Sequence, residues 1–78
     1  EVLRVNYFQG HLGAVQDAID AGAPVKGYFA WSLMDNFEWS WGYQKRFGLH
    51  YVNYSTLERT QKASAKFYNE VIKSNQVI

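Results

Sequence analysis

Cysteine is absent from this sequence, which excludes a disulfide framework and any thiolate metal site. The absence is compatible with a reducing compartment and slightly favours the cytoplasm without establishing it. An excess of one charge is absent too. Eight Lys and Arg stand against seven Asp and Glu, for a formal net charge of +1. The two signs are interspersed, so there is no basic stripe for nucleic acid and no charge block for a disordered tail. No apolar run approaches the roughly 20 residues of a membrane span, and no signal-peptide pattern opens the chain. Length is short as well. At 78 residues the chain permits one domain at most, and a domain of that size is marginal without staples.

What is abundant is aromatic. Six Tyr, five Phe and three Trp make fourteen aromatic residues, a load that implies burial against partners outside this sequence. The chain begins at Glu1, and its first residues already carry a helical pattern. We therefore expect a piece of a larger protein; the alternative is a processed small domain with a helix at its start.

Residues 4–21 predict an amphipathic helix, because Val5, Phe8, Leu12, Val15 and Ile19 recur at spacings of three and four. Gly10 and Gly13 weaken it locally. Gly22 suits a left-handed cap and Pro24 blocks continuation. Residues 25–32, VKGYFAWS, predict a short strand. Apolar residues on both parities (Tyr28, Phe29, Ala30, Trp31) predict that it is covered on both faces, as in a parallel sheet. Residues 33–47 follow neither period and predict a long, functional loop. Residues 48–54 predict a second short strand, with Leu49 and Tyr51 on one side and His50 and Val52 on the other. Residues 60–73 predict a closing helix capped by Thr60, with Ala63, Phe67 and Val71 as its stripe and Tyr68 and Ile72 beside it. Helix, strand, loop, strand and helix make part of an α/β repeat. A lone parallel-type strand would expose its ladder edges, which again points beyond these residues.

The loop opens with WSLMDNFEW, Trp31 to Trp39. Two indoles bracket a carboxylate, Glu38, in the loop just beyond the expected strand. A pyranose has an apolar C–H face and a rim of hydroxyls. An indole offers a large flat contact at low entropic cost, and an ionised carboxylate has only acceptor sites, so it can take two neighbouring hydroxyls. Each such charge-assisted bond contributes roughly 1.5–3 kcal/mol. Periodicity alone slightly favours the other reading, in which Trp31 and Trp39 are packing residues and Glu38 pairs with Lys45 or Arg46.

The run KGYFAWSLMDNFEWSWGYQKRFGLHYVNY, Lys26 to Tyr54, resembles the C-terminal signature of the family 1 glycoside hydrolases, the β-glucosidases and their relatives. The shared features are the W-S-L-x-D-N-F-E-W core and G-Y-x-x-R-F-G at Gly42, Tyr43, Arg46, Phe47 and Gly48. NYFQGHLGAVQDAIDAGAPVKGY resembles the helix that leads into the last barrel strand of that family, and ERTQKASAKFYNEVI its closing helix. The resemblance implies an α/β fold: the last strand, long loop and flanking helices of a (β/α)8 TIM barrel, incomplete in itself. It implies that Trp31 stacks on the glycone, that Glu38 accepts its C4 and C6 hydroxyls, that Trp39 donates its indole N–H nearby, and that Phe47 walls the same subsite. Asp35, Asn36, Tyr43 and Arg46 would then be scaffolding, with an Asp35–Arg46 ion pair one form of it. Three positions depart from the family pattern. Trp41 replaces a smaller or polar residue and is placed to shape the aglycone side, Asn53 stands where Asp is common, and Gln61 replaces a helix-starting Pro.

The same resemblance implies a retaining β-glucosidase that hydrolyses terminal β-D-glucosyl residues of a small-molecule β-glycoside by double displacement. It implies no cofactor, no metal, and no nucleic-acid or membrane partner. Tolerance of β-galactosides or β-fucosides would fit. Retaining glycosidases need two carboxyl groups about 5–5.5 Å apart, and the family carries them in Asn-Glu-Pro and Thr-Glu-Asn-Gly motifs. Neither motif occurs here. Asn69-Glu70-Val71 lacks the proline and falls in the closing helix, so no catalytic residue is expected in this chain and the remainder of the barrel must supply both. The alternative is a stand-alone, non-catalytic carbohydrate-binding module. His11 and His50 are expected to be structural, and Asn53 of the Asn53-Tyr54-Ser55 sequon to make turn contacts.

Overall fold

The computed structural model describes residues 1–78. Helix α1 spans Val2–Asp20, close to the predicted 4–21. Its end follows from local chemistry. The Ala23 N–H reaches the Ala18 carbonyl and the Gly22 N–H the Ile19 carbonyl, at 2.9 and 3.0 Å, which is the paired-bond Schellman ending. Gly22 takes φ +99° there, a conformation that costs glycine little.

Residues 25–32 differ from expectation. No backbone–backbone hydrogen bond involves residues 26–31, so the segment is not a strand of any sheet in this chain. The physical reason is that a parallel strand takes its ladder from neighbours reached by crossovers, and these 78 residues provide none. Nor is it covered on both faces. Tyr28 and Ala30 pack against the core, while Phe29 is 97% exposed and Trp31 65%. The alternation of a one-sided strand is present, with its outer side open.

Residues 32–35 then lie parallel to 47–50. The Ser32 N–H donates to the Phe47 carbonyl, the Leu49 N–H to Ser32, the His50 N–H to Leu33 and the Asp35 N–H to His50, at 2.7–3.1 Å. This pairing closes the long loop at its neck. It demands glycine at position 48, because a Cβ there would land on the backbone of Met34 and Asp35. The second predicted strand is shorter than 48–54. Strand β1, His50–Val52, pairs antiparallel with β2, Arg59–Gln61. Leu49 and Val52 are both buried, so strict alternation fails where the chain passes from the parallel neck into β1.

Helix α2 runs Ala63–Ser74, capped by Lys62 rather than Thr60. Thr60 is occupied in β2, opposite Tyr51. The buried positions of α2 are Ser64 and Ala65, with Phe67, Tyr68 and Val71 partly buried. Ala63 and Ile72 face solvent. The Glu1 carboxylate accepts the free N–H of Ser64 at 3.0 Å, a tertiary cap on the first turn of α2. The core is small: Phe8, Leu12, Leu49 and Ala65. No helix is long and apolar enough to cross a membrane.

Candidate carbohydrate-binding site

The loop between the two limbs of the neck turns at Trp39–Trp41, a single 3₁₀ turn. It is held by the Glu38 N–H on the Gly42 carbonyl (2.7 Å), the Trp41 N–H on Glu38 (2.9 Å) and the Gly42 N–H on Trp39 (3.0 Å). Within it Trp39 sits at φ +49°. A bulky residue in the left-handed region costs on the order of 1–2 kcal/mol and persists where its surroundings over-determine it, commonly at functional sites.

The turn points Glu38 inward. Glu38 is 4% exposed, although Trp31 beside it is 65% exposed and Trp39 82%. The Trp31 Nε1–H donates to Glu38 Oε1 over a long 3.4 Å. The other oxygen, Oε2, is buried and has no hydrogen-bond partner. Neither Lys45 nor Arg46 pairs with it: Lys45 lies over the Trp41 ring at 5.3 Å and Arg46 is committed elsewhere. A buried carboxylate with an unpartnered oxygen is costly unless a donor arrives. The structure therefore brings Trp31 and Glu38 into contact and leaves the Trp31 and Trp39 indoles exposed. Trp39 makes no side-chain hydrogen bond within the chain. Phe47 is carried to Trp31 by the neck, where its carbonyl accepts the Ser32 N–H.

Arg4, which sequence reasoning missed, reinforces that junction from α1. Its guanidinium donates to the Phe47 carbonyl at 2.8 Å, to Gly48 at 3.3 Å and to Trp31 at 3.4 Å. One cation on three carbonyls ties the start of the loop to its end. The helical period of 4–21 could not show this: it puts Arg4 one turn before Phe8, over whose ring the guanidinium lies at 5.3 Å, but says nothing of the distant carbonyls that the guanidinium reaches.

Beneath the loop is a charged hub. Asp35, whose side chain is fully buried, accepts four bonds. Oδ1 takes Lys62 Nζ (2.9 Å) and the Gly48 N–H (3.1 Å), and Oδ2 takes Arg46 Nη1 (3.1 Å) and the Val52 N–H (3.3 Å). Burial alone would push the Asp35 carboxyl up. The Lys62 and Arg46 bonds and the Val52 N–H outweigh it and hold the group below its ordinary value. The Asp35–Arg46 pair was readable from the motif; Lys62 was not. The Arg46 guanidinium also stacks on Tyr54 at 4.4 Å and Tyr51 at 4.8 Å, and burial raises the Tyr54 phenol. The Tyr54 hydroxyl donates to the Asn36 carbonyl at 3.4 Å, while Tyr43 packs edge-on against both Tyr54 and Phe37. Asn36 donates to Ser32 Oγ and the Met34 carbonyl. His11 and His50 donate from Nδ1 to the Tyr7 and Leu33 carbonyls. Asn53 Oδ1 accepts the Ser55 and Thr56 N–H groups.

The largest concavity, about 640 Å³, lies to one side, between α1 and residues 28–31. It reaches Trp31 and Phe47 but neither Glu38 nor Trp39, and its other walls are mainly Leu3, Tyr7, Phe8 and Phe29. Such a lining suits protein packing better than a polyhydroxylated ligand.

Residues 1–77 match the family model described as glycosyl hydrolase family 1. A bifunctional β-D-glucosidase/β-D-fucosidase of Bifidobacterium breve is 56% identical over 69 residues, covering 88% of this chain and 15% of that protein. A 6-phospho-β-galactosidase of Staphylococcus epidermidis is 53% identical over 74 residues, covering 95% of this chain and 16% of that protein. Among solved structures, the β-glucosidase of Thermotoga maritima in complex with glucoimidazole superposes with a TM-score of 0.90 at 51% identity, over 92% of this chain and 16% of that one. The chain spans about a sixth of the length of the relatives it matches.

Proposed function

The chain belongs to glycosyl hydrolase family 1, and from that premise we propose that it forms the glycone-binding part of a retaining β-glucosidase. In this reading residues 25–32 are the last strand of a (β/α)8 barrel, residues 33–47 the substrate loop, and α1 and α2 the flanking helices. The open side of residues 25–32 and the apolar groove beside α1 are surfaces that the rest of the barrel covers. Sites in such barrels lie at the C-terminal ends of the strands, which is the position of Trp31 in the proposed strand.

One observation carries the reading: the buried Glu38 carboxylate with Oε2 unpartnered, beside two exposed indoles. A sugar supplies what each lacks, a C–H face for Trp31 and hydroxyl donors for Glu38. Trp39 would donate its indole N–H to a further hydroxyl, and Phe47 would close the side of the subsite. The same carboxylate favours an unphosphorylated glycone. A phosphate at C6 would bring an acceptor-only dianion against a buried anion, and like charges repel strongly in such surroundings. Sequence identity alone does not distinguish the two substrate classes, since relatives of both kinds match this chain similarly.

Glu38 binds; it does not perform the bond cleavage. The acid/base and the nucleophile come from parts of the barrel outside these residues, and the chemistry is double displacement through a covalent glycosyl-enzyme. The test is kinetic. In the full-length protein, Glu38→Ala is expected to cut kcat/KM for an aryl β-D-glucoside by at least about 100-fold, the equivalent of losing two charge-assisted hydrogen bonds. Unchanged kinetics in a folded variant would remove Glu38 from the site. The 78-residue chain alone is expected to show no turnover, and activity traceable to it would overturn the assignment of both catalytic groups elsewhere.

A further inference from the structure

Glu38, Trp39 and Phe47 of the proposed clamp share one loop and Trp31 stands just before it, so whatever holds the neck of that loop sets the clamp geometry. The outbound limb carries Asp35, just after Trp31 and just before Glu38. The return limb carries Arg46, next to Phe47. Lys62, at the cap of α2 and far from both in sequence, bonds to each: Nζ donates to Asp35 Oδ1 at 2.9 Å and to the Arg46 carbonyl at 3.2 Å. Its side chain is only 11% exposed. Its own backbone is fixed, with the N–H on the Leu49 carbonyl at 3.0 Å and its carbonyl accepting the first turn of α2. Lys62 is thus a rigidly mounted cation stapling the two limbs from outside the loop.

We infer that Lys62 is a positioning residue of the sugar clamp, holding Glu38 and Phe47 in register across the loop neck without touching substrate. Without its ammonium, Asp35 Oδ1 keeps only the Gly48 N–H, and the Arg46 carbonyl loses its side-chain donor. The loop beyond the neck can then tilt, and carry Glu38 with it, while the parallel backbone bonds persist. A misplacement of about 1 Å is enough to cost a reaction on the order of 100-fold. A merely structural lysine would affect stability and leave discrimination between sugars untouched.

The inference rests on the reading of Glu38 as the acceptor of glycone hydroxyls, and the experiment separates the two. Full-length wild type, Glu38→Ala, Lys62→Met and Lys62→Arg are each assayed on 4-nitrophenyl β-D-glucoside and on its 6-deoxy analogue. The readout is the ratio of the two kcat/KM values, with KM and kcat followed separately. Glu38→Ala is expected to collapse the preference for the 6-hydroxyl. Lys62→Met is expected to lower the ratio by about 10-fold, mainly through the glucoside, because the hydrogen bonds lost are those to the missing hydroxyl. Lys62→Arg, which keeps a charged donor, is expected to restore the ratio to within about threefold. If Glu38→Ala collapses the ratio and Lys62→Met leaves it at the wild-type value, the positioning role is overturned and the clamp stands. If Glu38→Ala itself leaves the ratio unchanged, the clamp reading fails first. Should Lys62→Met not yield soluble protein, Lys62→Gln, which keeps a donor without the charge, is read by the same criterion.

Discussion

Replacing Asp35 by Asn tests the hub under the loop, because the two side chains have the same shape and differ in what their ends can accept. The Asp35 carboxylate faces donors only: Lys62 Nζ and the Gly48 N–H on one oxygen, Arg46 Nη1 and the Val52 N–H on the other. An amide keeps one oxygen. Whichever way Asn turns, its NH₂ group confronts two of those four donors. Two buried donors left unsatisfied cost about 1–3 kcal/mol each. The charge lost deprives Lys62, 11% exposed, of its ion-pair partner, and breaking a buried pair costs roughly 3–5 kcal/mol. These two figures describe the same event from different sides and are not summed. Arg46 is a third exposed and is relieved by water, so its share is small. We take about 3 kcal/mol, which is about 100-fold in the local opening equilibrium. Amide hydrogen exchange on the full-length protein reads this directly, since local opening is visible without global unfolding. Asp35→Asn is expected to speed exchange across residues 46–52 by about two orders of magnitude. Protection there within about threefold of wild type would refute the claim that Asp35 anchors the loop neck.

Acid should act on the same group. Its native pKa is lowered, so its contribution is fully present above the unfolded carboxylate value of about 3.9 and is lost as pH falls through the lower native value. Protection of residues 46–52 should therefore hold from neutrality to about pH 4 and decline below it, and Asp35→Asn should lack that decline; a loss beginning near pH 6 would contradict the assignment. Gly48→Ala should force the neck apart, since the added Cβ meets backbone rather than a movable side chain. A destabilisation of at least about 2–3 kcal/mol, with lowered glucosidase activity, is expected in thermal denaturation and kinetic assays, and a neutral result would show that the two limbs are not in close contact. The 78-residue chain alone, with Phe29, Trp31 and Trp39 largely in solvent, should bind a hydrophobic dye and aggregate; a sharp cooperative melt as a monomer would count against the proposed barrel context.

Both helices were legible because their periodic stripes and stop signals are local. Gly22 and Pro24 announce the end of α1 whatever lies around it. The Trp31–Glu38 contact and the Asp35–Arg46 pair were legible because both lie within one short motif. The strand expected at 25–32 was not realised, because a ladder belongs to two strands and its composition describes only one. Strand β2 escaped notice for a different reason: Arg59, Thr60 and Gln61 are all exposed and carry no apolar alternation. That omission misassigned Thr60 as a cap and hid Lys62 in the role. The bonds from Lys62 to Asp35, 27 residues apart, and from Arg4 to Phe47, 43 residues apart, have no local signature at all. The burial of Glu38 was hidden as well, since a motif letter does not say which way a turn will point it.

The most direct test is a crystal structure of the full-length protein with a glucose-shaped inhibitor bound. The pyranose ring is expected to lie on the Trp31 indole, with Glu38 Oε2 about 2.5–3.0 Å from a sugar hydroxyl. A sugar bound elsewhere, with Oε2 still unpartnered or bonded only to protein, would contradict it.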